Sequence, residues 1–356
     1  MRVFVTIQHP AHVHFFRNAI TALEDEGHDV HVFARRKEMA VELLQRYDID
    51  HEVLAGTASG LSQLAWVQTT YEARLLRRAV QLKPDVITAI GGVAAAHVAT
   101  VVGARSIVFY DTEHANLIQN LAYPFADVIY TPDCYNQSIG PKQVRYPGYH
   151  ELAYLHPDRF TPDPTVISDF GLDPDDTFVV LRLVKWGASH DVGQSGFNAV
   201  EDVIDRLENA GAEVLITSER PLPAELESYR TTVEPHRMHD LLAFADLFIG
   251  EGATMAAESA VLGTPAIYVN TLTMGYTDEL DERYGLLFNY QGDDRHALAL
   301  DKAVSILEND ENWEEYRERL LADKVDTTSV ILRAITGRSS QSNTQAQNPN
   351  IEGELL

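Results

Sequence analysis

The residues best placed to do chemistry lie between positions 250 and 265. There Gly250-Glu251-Gly252-Ala253-Thr254 follows the apolar run 247–249, and Glu258 comes one helical turn after Thr254. Glycines let the backbone approach a ligand closely, and a helix starting at Ala253-Thr254 offers unpaired N–H groups to an anion. A carboxylate at Glu258, on the same helix face, can accept both hydroxyls of a ribose lying over the helix start. Gly263-x-Pro265 then closes the helix and directs the next strand. The plainer reading is an ordinary strand–turn–helix unit with a surface glutamate.

A second set of candidates follows other apolar runs. Gln8-His9-Pro10-Ala11-His12 comes after 3–7. A histidine there, with a pKa of about 6.5, can take a proton from an acceptor hydroxyl. His12 is the first choice as base and His9 the second, whereas His14 reads as structural; a helix start or a His-x2-His-x-His metal site are the alternatives. Gly91-Gly92 either admits a phosphate or the acceptor, or makes a tight turn. Asp111-Thr112-Glu113-His114-Ala115-Asn116 brings acid, base and amide groups together, with Asp111 and Glu113 as catalytic candidates; an N-cap at Asp111 or Thr112 explains part of it. Arg182 and Lys185 are the basic groups able to neutralise a departing diphosphate. His190-Asp191 adds polar contacts, Trp186 a stacking or packing ring, and Ser218-Glu219-Arg220 a rim. His236 and His239 are binding candidates or surface residues at a helix start.

These residues need elements that point them at one place. Short apolar runs at 3–7, 29–33, 85–90, 106–110 and 127–130 alternate with helical patterns at 14–26, 38–47, 61–82 and 94–102. That alternation predicts a parallel sheet, with ligands beyond the carboxyl ends of its strands. Gly27 ends the first helix as a C-cap. Residues 132–164 carry prolines at 132, 141, 147, 157, 162 and 164 with no sustained period and read as a connection. Strands then recur at 177–183, 212–217, 246–249 and 266–270, with helices at 196–209, 238–244 and 255–262. Helical patterning over 301–335 predicts a return across the first half. The expected organisation is an acceptor domain over 1–153, a donor domain over 154–336 and a disordered tail over 337–356.

The segment from Gly250 to Pro265 resembles the donor-binding half of GT-B nucleotide-sugar glycosyltransferases, including the enzyme that adds N-acetylglucosamine in peptidoglycan synthesis. The resemblance implies that Gly252, Ala253 and Thr254 bind the diphosphate of a nucleotide sugar, UDP-linked by analogy, that Glu258 binds its ribose, and that the backbone near His236 contacts the base. More narrowly, His9-Pro10-x-His12-Val13-His14-Phe15-Phe16, Arg182-Leu183-x-x-Trp186-x-Ala188-Ser189-His190-Asp191 and Ser218-Glu219-x-Pro221-Leu222-Pro223 resemble the prokaryotic family catalogued as domain of unknown function 354. The fold implied is α/β: the GT-B fold, two Rossmann-like domains facing each other across a cleft. The activity implied is transfer of a sugar to an unidentified acceptor in cell-surface glycan or glycolipid synthesis. No metal cofactor is expected, because helix starts and basic side chains can stabilise the leaving group and the turn is not Asp-x-Asp. UDP-N-acetylglucosamine 2-epimerases share the fold, and Asp111, Glu113, His190 and Glu251 could play their acids and histidine; here the turn departs from the epimerase Ser-Gly-Gly-x-x-Glu-Glu pattern. A binding protein without catalysis is the third reading.

Composition narrows the field. The chain has 356 residues, enough for two domains of roughly 150 each. Acidic residues number 53 against 28 basic, for a net charge of −25. Such a surface repels nucleic acid and anionic lipid. An acidic, lysine-poor chain suits a salt-loaded cytoplasm, where a Debye length of about 3 Å at about 1 M screens self-repulsion; a halophilic source is the expectation. Cys134 is the single cysteine, so no internal disulfide forms. No leader precedes the first strand and no apolar run nears the roughly 18 residues of a membrane span. A cytoplasmic location is expected, at the inner face of the membrane if the acceptor is lipid-linked.

Overall fold

The computed structural model describes residues 1–58, 60–173, 175–183, 200–218, 222–309 and 311–337. Lys185, Trp186, His190, Asp191, Glu219, Arg220 and positions 338–356 of the expected tail lie outside the described residues.

The strands are apolar because most are covered on both faces, as parallel sheets with helical crossovers require. The first sheet contains β1 (Arg2–Ile7), β2 (Asp29–Arg35), β3 (His51–Ala55), β4 (Val86–Ile90), β5 (Arg105–Phe109), β6 (Val128–Pro132) and β7 (Gln143–Tyr146). Its order is β3-β2-β1-β4-β5-β6-β7, and every pairing is parallel. The second holds β8 (Phe178–Leu183), β9 (Glu213–Ser218), β10 (Leu247–Gly250), β11 (Ala266–Val269) and β12 (Leu287–Tyr290), in the order β12-β11-β10-β8-β9, again all parallel.

Three strands escape the apolar pattern, and each has a reason. β3 and β7 are the two edges of the first sheet and β12 an edge of the second, so they need less apolar character. The first helix spans Pro10–Asp25, starting four residues earlier than its pattern suggests, because Pro10 suits a first turn and His9 accepts the Ala11 N–H as N-cap. Gly27 follows it at φ +78°.

Residues 147–164 are not a polar tether. Tyr149, Leu152, Ala153, Tyr154 and Leu155 are all buried. They belong to one apolar cluster that runs from Val3 and Phe15 to Leu241, Ala257 and Leu287, joining the surroundings of both sheets. The last helix, Thr327–Thr336, returns to the first sheet as its pattern implied. Thr327 and Thr328 donate to the carbonyls of Tyr149 and Ala153 at 2.7 and 2.6 Å, and Arg105 donates to Ala334.

Candidate active site

On the second sheet, the expected anion turn stands where a parallel strand ends and a helix begins. Gly252 caps helix Ala253–Leu262 with no side-chain hydrogen bond, and a Cβ there would meet open space. Gly250 is different: a Cβ would press within 2.6 Å of Phe248 and 3.1 Å of Arg182, so its role is packing. Arg182 lies beside Gly250 in register, and Ser218 ends the neighbouring strand beside Leu183. Arg182, Ser218, Gly252, Ala253 and Thr254 thus share one edge, the carboxyl edge that such folds use for ligands.

Glu258 is not the open carboxylate that the sequence suggests. It is 5% exposed, and its Oε1 accepts from the Tyr154 hydroxyl at 2.7 Å and lies 3.0 Å from His239 Nε2. Oε2 makes no hydrogen bond among the described residues. One oxygen is therefore engaged in the interior and only the other remains for a ligand. His236 is engaged too: Arg46 donates to its Nε2 at 3.1–3.3 Å, and Glu234 lies 3.4 Å from its Nδ1. Burial and the Arg46 charge lower its pKa.

The first sheet presents its own carboxyl edge. His12 Nδ1 accepts the Gln8 N–H at 3.3 Å, which leaves the proton of the neutral ring on Nε2. Burial, with the neighbouring His9, His150 and Lys37, pushes the His12 pKa down to about 3, against the pull of Asp111. A ring so arranged is a neutral hydrogen-bond donor and a poor base. His9 is committed to the helix cap and faces Glu38 at 3.4 Å, and His14 packs edge-on to His239 with centroids 4.8 Å apart. The three histidines do not converge. Gly91 and Gly92 both hold left-handed backbone, at φ +74° and +69°, so the tight turn alone requires glycine.

Asp111 and Glu113 separate in role. Glu113 is 5% exposed, and its Oε1 accepts from the backbone of Asn136 and Gly275 at 3.0 and 3.1 Å, which makes it a brace. Asp111 Oδ2 lies 2.9 Å from His150 Nδ1, and Thr112 donates to Oδ1. Burial alone would raise the Asp111 carboxyl; the charge of a protonated His150, then the His150 and Thr112 hydrogen bonds, outweigh it and hold the pKa below the usual carboxylate value. In its neutral form, with Nδ1 donating to Asp111, His150 would carry its lone pair on Nε2, a buried atom without a hydrogen-bond partner among the described residues. A carboxylate that orients an imidazole whose far nitrogen stands unengaged is the arrangement of a general base.

Next in the chain, Glu151 is 3% exposed. Burial, then the nearby Asp111 carboxylate and Glu258, push its carboxyl well up toward the protonated form. Neither His150 nor Glu151 stands out in the sequence. They sit in the proline-punctuated stretch, and only recognition of β7 as a strand would have placed them at a carboxyl edge.

Loops from the two edges meet. His114 Nε2 lies 2.6 Å from the Thr273 carbonyl, Glu113 holds Gly275, and Tyr154 reaches Glu258. Farther along, Asp133, Cys134 and Glu279 form a grouping with metal-ligand geometry, but the Lys324 ammonium already lies 2.9 Å from Asp133 and 2.7 Å from Glu279. Among the described residues no helix is long and apolar enough to cross a membrane.

Residues 1–279 match the family model described as protein of unknown function (DUF354). An uncharacterized protein of Methanocaldococcus jannaschii, MJ0665, is 22% identical over 277 residues, covering 74% of this chain and 80% of that protein. The UDP-GlcNAc 2-epimerase of the same organism, solved with UDP-GlcNAc and UDP, superposes with a TM-score of 0.67 at 15% identity, over 95% of this chain and 100% of that one. The Streptomyces sp. SF2575 glycosyltransferase SsfS6 superposes at 0.59 with 14% identity over 94% and 99%, and glycosyltransferase VinC, solved with DTDP, at 0.61 with 14% over 94% and 99%. The architecture is the GT-B fold that these transferases and epimerases have in common.

Proposed function

The chain belongs to the DUF354 family of proteins of unknown function, and from that premise and the geometry above we propose that it is a glycosyltransferase of the GT-B type. A nucleotide sugar, UDP-linked by analogy with the neighbours solved with UDP, lies on the second sheet with its diphosphate over the start of helix Ala253–Leu262. Oε2 of Glu258 takes the ribose, and the acceptor rests against the first sheet.

In the transfer step the acceptor hydroxyl gives its proton to His150 Nε2, which Asp111 has oriented. The acceptor oxygen bonds to the anomeric carbon as the bond from that carbon to the diphosphate breaks. The electron pair leaves with the diphosphate, whose charge meets the helix N–H groups and Arg182, so the arrangement calls on no metal ion. His12 donates Nε2–H to a substrate oxygen. His150 Nε2 is closed off in this conformation, with the Phe15 ring packed on the imidazole, so the groups around it must move before the acceptor reaches it.

The observation that carries this reading is the Asp111–His150 pair on one carboxyl edge, joined by loop contacts to an uncapped helix start on the other. Thermal-shift measurements against nucleotides and nucleotide sugars test it, because a ligand of the native state raises Tm. A nucleoside diphosphate should raise Tm in the parent chain and less in Glu258→Gln. No shift with any nucleotide in either low or molar salt sinks the reading.

One feature favours an epimerase as second reading. The surroundings push the Asp111 carboxyl toward the ionised form and, by burial and the Asp111 charge, the Glu151 carboxyl toward the protonated one, the split that removal and return of a proton at a sugar carbon would use. Incubation with UDP-N-acetylglucosamine and no acceptor separates the two: a sugar epimerised at C2 supports the second, and an unchanged substrate excludes it.

A further inference from the structure

Arg35 is the last residue of β2, and it is 8% exposed. Its neighbours give it almost nothing. Nε donates to the Gly56 carbonyl at a long 3.4 Å, and the guanidinium makes no other hydrogen bond or ion pair among the described residues. The Tyr71 ring nearby is no counter-charge: its hydroxyl donates to the Phe33 carbonyl at 2.9 Å, and burial pushes its pKa up, so the phenol is neutral. Burial likewise lowers the Arg35 pKa, with no carboxylate acting against it. The acid closest in sequence, Glu38, is turned to Lys37 at 3.6 Å and to His9 at 3.4 Å. A largely buried cation without a counter-charge is held at a cost, and four of its five N–H groups have no partner in the protein among the described residues.

The position decides what would answer that charge. Ala34 is in register with Ile7, so Arg35 stands level with Gln8 at the carboxyl edge, beside the His9–His12 loop. Arg36 and Lys37 follow it, the one exposed and the other partly so. Three consecutive cations are a local reversal in a chain of net charge −25. Lys37 is close enough to His12 to depress its pKa.

We infer that Arg35, with Arg36 and Lys37, forms a subsite for a phosphate-type anion on the acceptor. This names the substrate class of the acceptor side and rests on the glycosyltransferase reading. A guanidinium fork on a largely buried side chain, with its terminal nitrogens open to a ligand, suits a phosphate through paired N–H···O bonds. Gly56 leads towards helix Leu61–Leu82, whose residues 61 to 71 carry no charge and include Trp66 at 72% and Leu64 at 40% exposure. An anion borne on a lipid would engage the exposed apolar side chains of this helix as well as the cation; a free phosphate ester would use the cation alone.

The test is Tm with UDP saturating the donor side, while inorganic phosphate is raised against chloride at fixed ionic strength. Phosphate should raise the Tm of the parent chain by about 3–6 °C near saturation. Arg35→Met should abolish that shift yet melt no lower without phosphate, because an uncompensated buried charge has gone. Lys37→Ala, at a partly exposed position, should weaken the phosphate response about 3–10-fold. Glycerol phosphate, and phosphatidylcholine vesicles with and without phosphatidic acid, then distinguish the sources: an Arg35-dependent response to either supports the subsite. Equal phosphate shifts in the parent chain and Arg35→Met overturn it, as does a phosphate-free Tm for Arg35→Met several degrees lower. If UDP gives no shift but phosphate gives an Arg35-dependent one, the donor reading fails and the anion site stands.

Discussion

At the scale of single residues, the site turns on which histidine can accept a proton. His12 cannot do it well, with Nδ1 taken by Gln8 and a pKa pushed down to about 3. His150 is the proton acceptor proposed above, because Asp111 lies 2.9 Å from its Nδ1 and would hold the proton of the neutral ring there. Once an assay exists, His150→Asn should lower kcat about 10²–10⁴-fold with Tm little changed; kinetics within threefold of the parent would remove His150 from the mechanism. The neutral histidines also shape pH stability. His12 and His14 have folded pKa values below the unfolded value of about 6.5, so below that pH the unfolded chain binds protons that the folded chain refuses. Their stabilisation is complete above about pH 6.5 and is lost as pH falls, with up to about 1.4 kcal/mol per pH unit for each proton. His14→Phe, which keeps an aromatic ring between Tyr154 and His239, should flatten the fall between pH 7 and pH 5 in urea melts.

Elements set these residues against one another through a few tight loops. Helix Gly275–Glu279, after β11, meets the loop after β6 so closely that a Cβ on Gly275 would collide with the Cys134 carbonyl oxygen and come within 2.9 Å of Glu113 Oε1. Backbone cannot yield there as a flexible side chain would. Gly275→Ala should therefore cost about 1–3 kcal/mol, measured by urea unfolding, and an unchanged midpoint would show that the two halves do not rest on each other there. Helix Ala253–Leu262 works in the opposite sense. Open space at Gly252 and an uncapped first turn leave room for a ligand where Gly275 leaves none.

For the whole molecule, two sheets share one apolar cluster, and polar contacts such as Lys324 with Asp133 and Glu279 cross between their loops. With Lys324 only 4% exposed, salt should screen this pair far less than the acidic surface. The net charge of −25 predicts that KCl raises Tm as it screens self-repulsion, steeply from low to physiological ionic strength. A Tm that falls over that range in thermal scans would place the dominant electrostatics in attractive pairs instead.

Much of the architecture was legible in the sequence, because a parallel α/β fold writes itself as alternating apolar runs and amphipathic helices. β1, β2, β4, β5, β6, β8, β9, β10 and β11 follow from their apolar residues, and the glycine turn at 250–254 marks a ligand edge by its residue types alone. Edge strands β3, β7 and β12 did not show, since a strand with one neighbour can do with less apolar surface, although β9, also an edge, kept enough to be read. The site was legible only in part. Sequence spacing chose His12 and Glu258 for being near a turn, while burial and hydrogen bonding made the first a neutral donor and tied one oxygen of the second to Tyr154 and His239. The pairing of Asp111 with His150, 39 positions apart, and the uncompensated charge of Arg35 depend on which groups lie within about 3–4 Å once water is excluded. Distance and desolvation belong to the folded chain, so only the tertiary structure decided them.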